Sequence, residues 1–252
     1  MARAALRGRL MAAMPWRRAV VLARRPETAT AATLLLHVDG GGSSVAGQRV
    51  EVRLTAEDGY SADREYSLAR TGDADRAEIT VQAIEGGEVS PFLVDEIEVG
   101  SELALRGPIG GWFVWRPEQT EPVLLVAGGS GIVPLMAMVR ARRAADSRAP
   151  FRLVYSVRSR AELFYRSELR APDPGVDVTT VYTREAPEGS RRPAGRLTVA
   201  DVNTGGWPPD FAPTCYVCGP TGFVETVADI LVALGHDPRR VRTERFGPTG
   251  DG

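Results

Sequence analysis

The residues best suited to chemistry in this chain are glycines and polar side chains that could hold a phosphate. The clearest group is a G-x-G-x-x-P pattern, made by Gly129, Ser130, Gly131 and Pro134. It follows a short apolar run, Val123 to Ala127, and precedes an apolar segment with helical spacing. A strand, a glycine turn and a helix point free N–H groups and the positive end of a helix at a phosphate. No Lys-Ser or Lys-Thr follows, which argues against an ATP-type P-loop.

A second group lies upstream, in the segment Arg64-Glu65-Tyr66-Ser67. An arginine suits a phosphate, a tyrosine ring suits stacking on a flat heterocycle, and a serine hydroxyl can donate or accept a hydrogen bond. Further along, Gly86 to Ser90 precedes a predicted helix, with Ser90 as its N-cap. Taken singly, these segments could equally be a strand with a surface salt bridge and a simple capped helix.

The scarcity of histidine and cysteine excludes several kinds of site. The histidines, His37 and His236, are far apart, and the cysteines are Cys215 and Cys218. Two thiolates are too few for the usual iron–sulfur cluster, or for a structural zinc without histidine. We therefore expect no metal site and no Ser-His-Asp mechanism. Residues three apart in a strand point to opposite faces, so the two sulfurs should diverge rather than form a disulfide.

Length and charge set broader limits. The chain has 252 residues, enough for two domains, and its net charge of −1 gives no indication of nucleic acid binding. No apolar run approaches the ~18–20 residues of a membrane span, and we expect a cytoplasmic protein. The first 25 residues hold seven arginines and no acid. We interpret residues 1–15 as a disordered basic leader, with a misassigned start and an arginine-rich targeting segment as alternatives.

The elements that must position these residues fall into two predicted domains. Residues 16–118 contain short alternating runs separated by glycine turns, which predict an antiparallel β-barrel. The predicted strands of this barrel are Thr33–Val38, Arg49–Leu54, Glu78–Ala83 and Ser101–Arg106. The segment Arg64–Ser67 should close a further strand, and only Pro91–Ile97 has a helical pattern.

Residues 119–252 alternate between strands and helices, which predicts a doubly wound α/β domain with a parallel sheet. The predicted strands are Val123–Ala127, Phe151–Val157, Val176–Tyr182, Cys215–Cys218 and Val241–Phe246. The predicted helices end near Ala145, cover Ala161–Arg170 and Gly222–Leu234, and include a short one opening at Thr198–Val202. Ligands of such a sheet bind at the carboxyl ends of its strands.

The order of the motifs resembles the ferredoxin–NADP reductase superfamily, in particular the bacterial reductase modules of oxygenases and flavohaemoglobins. The resemblance rests on the R-x-Y-S box, a G-x-x-S helix start, the L-R-G-P-x-G turn from Leu105 and the G-x-G-x-x-P pattern. It covers roughly Trp16 to Gly250. It implies a barrel that binds a flavin and a sheet that binds a nicotinamide nucleotide.

The resemblance assigns the flavin to residues of the barrel. Arg64 would hold a flavin phosphate, Tyr66 would lie against the isoalloxazine, and Ser67 would hydrogen-bond near its N5. The backbone of the glycine-rich loop would cradle the phosphate or pyrophosphate, through Gly87, Val89 and Ser90. FAD is favoured, and FMN remains open.

The resemblance also assigns the nicotinamide nucleotide to the second domain. The G-x-G-x-x-P turn would face its phosphates, and Cys218, Gly219 and Pro220 would lie near the nicotinamide. In the C-terminal box, Glu244 and Phe246 would sit beside the flavin and nicotinamide.

The resemblance also bears on coenzyme choice, because a similar hydroxyl–arginine pair meets the 2′-phosphate in family members that use NADPH. Thr183 and Arg184 would meet the 2′-phosphate of NADPH, joined by Arg158 and Tyr165. We therefore predict a preference for NADPH over NADH, with solvated loop arginines as the alternative interpretation.

The reaction implied is hydride transfer from NAD(P)H to the flavin, with Ser67, Cys218 and Glu244 nearest the reacting atoms. Because the chain has no iron–sulfur or haem domain, we expect the electrons to pass to a separate redox protein through a transient contact. One alternative is a flavin or quinone reductase with a small-molecule acceptor. Others are a non-catalytic electron-transfer or regulatory subunit and a nucleotide-binding protein without flavin.

Overall fold

The structure is a computed structural model that describes residues 14–72 and 74–247. The chain divides into two compact units: the first runs to Pro26 and from Thr30 to Val114, and the second contains Glu27–Ala29 and the chain from Trp115. Most of the predicted leader, residues 1–13, lies outside the described residues. The arginines at 17, 18, 24 and 25 belong to a strand instead.

The first unit is a closed antiparallel barrel of six strands, as the sequence predicted. Its strands are β1 Arg17–Thr28, β2 Ala31–Val38, β3 Arg49–Thr55, β4 Ser61–Arg70, β5 Arg76–Gln82 and β6 Glu102–Ile109. The spatial order is β1-β2-β5-β4-β3-β6. Inward-facing aliphatic residues such as Leu34, Val52 and Ile79 form a core that is fully shielded from solvent.

Strand β4 corrects one prediction. Arg64 to Ser67 lie within this strand rather than at its end, since β4 continues to Arg70. The register of β4 against β5 shifts between Leu68 and Arg70, directly after this segment. Irregularities of this kind re-aim side chains and are common beside functional sites.

The helical segment of the barrel also differs from its prediction. It comprises α1, Val89–Pro91, and a π-helical turn, Phe92–Glu96. Glu88 rather than Ser90 precedes its first residue. Ser90 instead lies inside α1, where its hydroxyl accepts a hydrogen bond from the backbone N–H of Ile84 (3.1 Å). The predicted N-cap is therefore wrong, because the hydroxyl closes the glycine loop rather than the helix.

The second unit is a five-stranded parallel sheet with helices, which confirms the predicted doubly wound architecture. Its strands are β7 Val123–Gly128, β8 Phe151–Val157, β9 Val176–Tyr182, β10 Thr214–Pro220 and β11 Val241–Phe246. Its helices are α2 Ile132–Ala144, α3 Arg166–Arg170, α4 Val199–Gly205 and α5 Thr221–Ala233. Short 3₁₀ turns cover Gly129–Gly131, Arg160–Glu162, Pro209–Phe211 and Pro238–Arg240.

The strand order of this sheet is β11-β10-β7-β8-β9. From β7 the chain adds β8 and β9 on one side, and then returns to add β10 and β11 on the other. The direction of winding therefore reverses between β7 and β10, which creates the crevice where such sheets bind ligands. Every residue of β7 is buried, as expected for a strand with both faces covered.

The helix predicted over Ala161–Arg170 is wrong. A 3₁₀ turn and the five-residue helix α3 replace it, separated by Leu163, Phe164 and Tyr165. These three consecutive residues are all buried. The backbone is not helical across them, since Leu163 is extended and Tyr165 has a left-handed φ of 54°.

Candidate active site

The centre of the second unit's site is the pair of turns that follow β7 and β10. These strands are parallel neighbours, with Cys218 opposite Ala127, so both turns emerge at the same edge of the sheet. One turn is Gly129–Gly131 and the other contains Gly219 and Pro220. The two segments that the sequence assigned to the nicotinamide nucleotide are thus brought together at the winding reversal.

The two turns are packed so closely that only glycine fits. A Cβ added to Gly131 would clash with the backbone carbonyl of Cys218. A Cβ on Gly128 would lie 2.7 Å from the ring of Phe223, and Gly219 has a φ of 157° that L side chains rarely adopt. Gly128 and Gly131 therefore allow the two turns to pack closely against neighbouring atoms. Gly129 instead supplies a left-handed φ of 54°.

Two helices begin at these turns and make this edge electropositive. Helix α2 starts after Gly131 and α5 after Pro220, and neither has a side-chain cap or an acidic residue in its first turn among the described residues. Pro134 is the third residue of α2, where its missing N–H costs no hydrogen bond, as predicted. Two free N-terminal ends side by side favour a diphosphate.

The C-terminal strand places two further predicted residues at the same edge. In the register of β10 and β11, Cys218 lies opposite Glu244 and Pro220 lies opposite Phe246. Glu244 and Phe246 are half-buried, whereas the thiol of Cys218 is fully buried. Burial raises the pKa of Cys218 far above its ordinary value, and the Glu244 carboxylate raises it further. Cys218 is therefore a neutral thiol and no nucleophile.

The other cysteine has a different environment. Both thiols are free and buried. The sulfur of Cys215 lies 3.9 Å from Nδ1 of His236, toward the amino end of β10. Burial raises its pKa to about 12, and burial also lowers the pKa of His236. Both groups are uncharged near neutral pH, and neither is near the strands' carboxyl ends.

The loops after β8 and β9 bring together three of the residues assigned to the coenzyme's 2′-phosphate. The N–H of Thr183 donates to the carbonyl of Val157, and the N–H of Arg184 donates to the carbonyl of Arg158 (2.9 Å). Arg158 and Arg184 are exposed, but Arg158 lies 3.9 Å from the carboxylate of Glu162. The cation of Arg158 is thus partly neutralised.

Two arginines at this edge were missed by the sequence analysis. Arg160 and Arg166 are exposed, and the charge of Arg160 is the main cause that lowers the pKa of Arg166. Two exposed cations on the segment that follows β8 favour an anion there. Tyr165, which was expected to join the group, is instead buried with its ring under Arg140 (4.5 Å) and beside Phe164.

The flavin residues assigned to the barrel include two orphaned hydroxyls. The hydroxyl oxygens of Tyr66 and Ser67 are buried, and neither has a hydrogen-bond partner within the described part of the chain. Burial raises the pKa of Tyr66, so its phenol remains neutral. A buried polar group without a partner costs about 1–3 kcal/mol, which an adjacent ligand could recover. The residues present therefore fit a flavin.

Arg64 is the cation available beside them. It is exposed, and its Nη1 donates to the backbone carbonyl of Asp63 (2.7 Å). Its neighbours on the barrel are paired: Arg53 with Asp63 and Arg49 with Glu65. Across residues 14–72 and 74–247, no carboxylate forms an ion pair with Arg64, which leaves it able to take a phosphate.

The loop assigned to the flavin phosphate is closed by its own residues. The N–H of Gly87 donates to the carbonyl of Ile84, and a Cβ on Gly87 would lie 3.0 Å from that oxygen. Val89 and Ser90 are buried. The loop is thus a turn closed by two hydrogen bonds at Ile84, one from the N–H of Gly87 and one to the hydroxyl of Ser90.

Comparison with known proteins finds a family model for each of the two units. A model of the oxidoreductase FAD-binding domain matches residues 35–114, and a model of the oxidoreductase NAD-binding domain matches residues 125–229. The chain belongs to the ferredoxin–NADP reductase superfamily. Membership gives the barrel an FAD-binding role and the parallel sheet a role in binding a pyridine nucleotide. Within the described residues, no helix is long and apolar enough to cross a membrane.

Individual relatives show how far the similarity extends. A flavohemoprotein of Xylella fastidiosa is 31% identical over 242 residues, covering 92% of this chain and 59% of the relative. A ferredoxin–NAD(P)(+) reductase component of naphthalene dioxygenase and salicylate hydroxylase systems from Ralstonia is 29% identical, covering 81% and 61%. The FAD/NAD-binding domain of a Vibrio cholerae nitric oxide dioxygenase superposes with a TM-score of 0.80 at 26% identity, covering 92% and 99%. The chain thus spans about three fifths of the two full-length relatives.

Proposed function

We propose that this chain is an NAD(P)H-dependent flavoprotein reductase that passes electrons from a nicotinamide nucleotide, through FAD, to a separate redox protein. The observation that carries the proposal is the pair of buried, unpartnered hydroxyls of Tyr66 and Ser67 in the FAD-binding domain. Bound FAD supplies the chemistry, since it accepts a hydride and can release electrons one at a time.

The barrel's residues bind and orient the cofactor in this proposal. Arg64 holds a phosphate, and Tyr66 lies against the isoalloxazine. Ser67 hydrogen-bonds near N5, and the backbone of Gly87, Val89 and Ser90 supports the phosphate. The hydroxyls of Tyr66 and Ser67 are otherwise unpaired, and Arg64 makes a backbone hydrogen bond but no ion pair among the described residues.

The parallel sheet's residues bind and orient the coenzyme. The turn Gly129–Gly131 and the start of α2 receive its phosphates, and Cys218, Gly219 and Pro220 form the floor beneath the nicotinamide. Glu244 and Phe246 flank the same floor. The neutral, buried thiol of Cys218 acts through shape rather than through proton transfer.

We infer a preference for NADPH over NADH from the arginines at the edge of β8 and β9. Arg184 and Arg166 are exposed cations, and Arg160 lies close enough to depress the pKa of Arg166. A guanidinium fork matches a phosphate in two hydrogen bonds. The ion pair of Arg158 with Glu162 makes Arg158 the weakest contributor of the group.

The proposed acceptor is a ferredoxin, or a haem, molybdenum or oxygenase component of a small electron-transfer system. This proposal is supported by the Ralstonia relative, a reductase component that is paired by name with ferredoxin. Redox encounters between proteins are usually small and transient, so the acceptor need not co-purify.

A coupled assay tests this function. FAD-loaded protein is mixed with NADPH and offered either a ferredoxin or oxygenase component, or free flavin or quinone. We expect reduction of a protein acceptor to outpace that of the small molecules. Fast oxidation of NADPH with quinone or flavin alone, never accelerated by a redox protein, would instead identify a flavin or quinone reductase. Absence of turnover with every acceptor would indicate a non-catalytic subunit.

A further inference from the structure

One exposed aromatic ring of the barrel has no role in the site described above. The side chain of Tyr60, just before β4, is 58% exposed. Its hydroxyl donates a hydrogen bond to Oε2 of Glu88 (3.0 Å). Its backbone N–H donates to the side chain of Asp58, and its carbonyl accepts from the N–H of Ala56. The backbone of Tyr60 is therefore held by two hydrogen bonds and its ring by one, while the residue remains largely exposed to solvent.

The position of Tyr60 relates it to the flavin residues. Alternate residues of a strand point to the same face. Tyr60, Arg64 and Tyr66 are separated by even numbers of positions, so they share one face of β4 and its N-terminal extension. Electrostatics supports this placement: Glu88 raises the pKa of Tyr60 and Arg64 opposes that shift, so Arg64 lies within reach of the phenol.

The spacing along this face matches a dinucleotide. Tyr66 follows Tyr60 by six positions, which at about 3.3 Å per residue is about 20 Å. Arg64 lies between the two rings, closer to Tyr66. An extended flavin dinucleotide has the same order of parts, with two flat ring systems joined through a diphosphate. A mononucleotide ends at its phosphate and could not reach Tyr60.

We propose that Tyr60 is the stacking platform for the adenine ring of FAD and selects FAD over FMN. The inference rests on the proposed flavin site at Arg64, Tyr66 and Ser67. The hydrogen bond to Glu88 fixes the ring before the ligand arrives, which reduces the entropy lost on stacking. The same hydrogen bond keeps the Glu88 carboxylate beside the Tyr60 hydroxyl.

Another exposed ring of the barrel unit offers a rival platform. Trp112, which follows β6, is 63% exposed. It lies outside the face of β4 that carries Tyr60, Arg64 and Tyr66. Trp112→Ala is therefore the competing variant in the test, and Leu22→Ala, an exposed aliphatic residue of β1, is the neutral control.

The test measures binding of FAD and of FMN separately to full-length apoprotein, by the change in flavin fluorescence. Base–aromatic stacking is worth about 1–3 kcal/mol, so Tyr60→Ala should weaken FAD binding by about 5- to 150-fold. FMN binding should not change, and this also shows that the variant is folded. Tyr60→Phe keeps the ring and should stay within about fivefold of the wild type. Tyr60→Leu keeps apolar bulk and should behave as Tyr60→Ala does.

Each other outcome contradicts a specific claim. An unchanged ratio of FAD to FMN affinity in Tyr60→Ala, or a changed ratio only in Trp112→Ala, would overturn the assignment. Equal weakening of both flavins would remove Tyr60 from the adenine site. A loss in Tyr60→Phe as large as in Tyr60→Ala would show that the hydroxyl matters rather than the ring. Failure of the wild-type apoprotein to bind either flavin would overturn the proposed function itself.

Discussion

Arg64 and Tyr66 are the side chains on which flavin retention should depend most directly. Arg64→Ala removes a charge-assisted contact, so we expect FAD to bind about 10- to 100-fold more weakly. Tyr66→Ala should alter the flavin's absorbance spectrum and its potential, because the stacked ring and a buried hydroxyl are lost. Titration of apoprotein with FAD and a spectrum of the bound flavin check both expectations.

The matched control is Arg239→Ala, which removes an exposed arginine of the second unit. It should leave FAD affinity and the spectrum unchanged. If the Arg64 and Tyr66 variants retain FAD as firmly as this control does, the flavin site has been assigned to the wrong residues.

Cys218 and Cys215 are a matched pair for testing whether Cys218 lies beneath the nicotinamide. Both are buried on β10, but only Cys218 lies at the carboxyl end. Replacing either by alanine should cost about 1–2 kcal/mol of stability through lost packing. Cys218→Ala should also slow flavin reduction by about tenfold, with a smaller change in coenzyme affinity, since it disturbs the reactive geometry. Rapid mixing would remove Cys218 from the site if both variants reduced flavin at the wild-type rate.

Arg184 tests coenzyme choice. Arg184→Ala should raise the KM for NADPH by about tenfold or more and leave the KM for NADH unchanged, because only NADPH carries the 2′-phosphate. Arg148→Ala, an exposed arginine at the amino edge of the same sheet, is the control. Steady-state kinetics in which the wild type uses NADH at least as well, with no effect of Arg184→Ala, would refute the NADPH preference.

Sequence reasoning identified residues whose type and motif position are informative, such as Arg64, Gly131 and Cys218. It missed Tyr60, because the proposed role of this exposed ring depends on the residues that share its face of β4, Arg64 and Tyr66. It also missed Arg160 and Arg166, because their effect comes from mutual proximity, which no spacing in the sequence reveals.

At the scale of elements, the turn after β7 should be the most sensitive part of the second unit. Gly131→Ala places a methyl group against the carbonyl of Cys218, so β10 or α2 must shift. We expect a loss of about 1–3 kcal/mol in unfolding free energy, and weaker NADPH binding. Gly222→Ala, in the first turn of α5 with open space around it, should be neutral or stabilise by up to about 1 kcal/mol.

Denaturant unfolding of the apoprotein and titration with NADPH check this comparison. Equal stability and equal NADPH affinity in the two glycine variants would mean that the turns are not closely packed. The contrast does not depend on backbone strain, since Gly131 has an ordinary helical φ of −59°.

Element boundaries were predictable where polar or turn residues flank a hydrophobic run on both sides. The predicted bounds of β8, β9 and β11 match the structure, because each strand is flanked by polar or turn residues. Strand β1 was not predicted, because its arginines interrupt the alternation of apolar and polar residues in the sequence. Strand order, and with it the winding reversal beside β7, depends on pairing between distant segments and could not be obtained from local periodicity.

At the scale of the whole molecule, one chain carries two domains with complementary ligands. A barrel that binds FAD and a sheet that binds a pyridine nucleotide support the proposed activity, in which the coenzyme reduces the flavin. The two family models follow one another along the chain in the order that the motifs indicated.

The most direct test of this central claim is anaerobic rapid mixing of the FAD-loaded protein with NADPH or NADH, followed through the visible absorbance of the flavin. We predict that the oxidised absorbance disappears in a phase whose rate saturates with coenzyme concentration, and that low concentrations of NADPH act faster than equal concentrations of NADH. A flavin that stays oxidised in the presence of both coenzymes would contradict the assignment of this chain as a reductase.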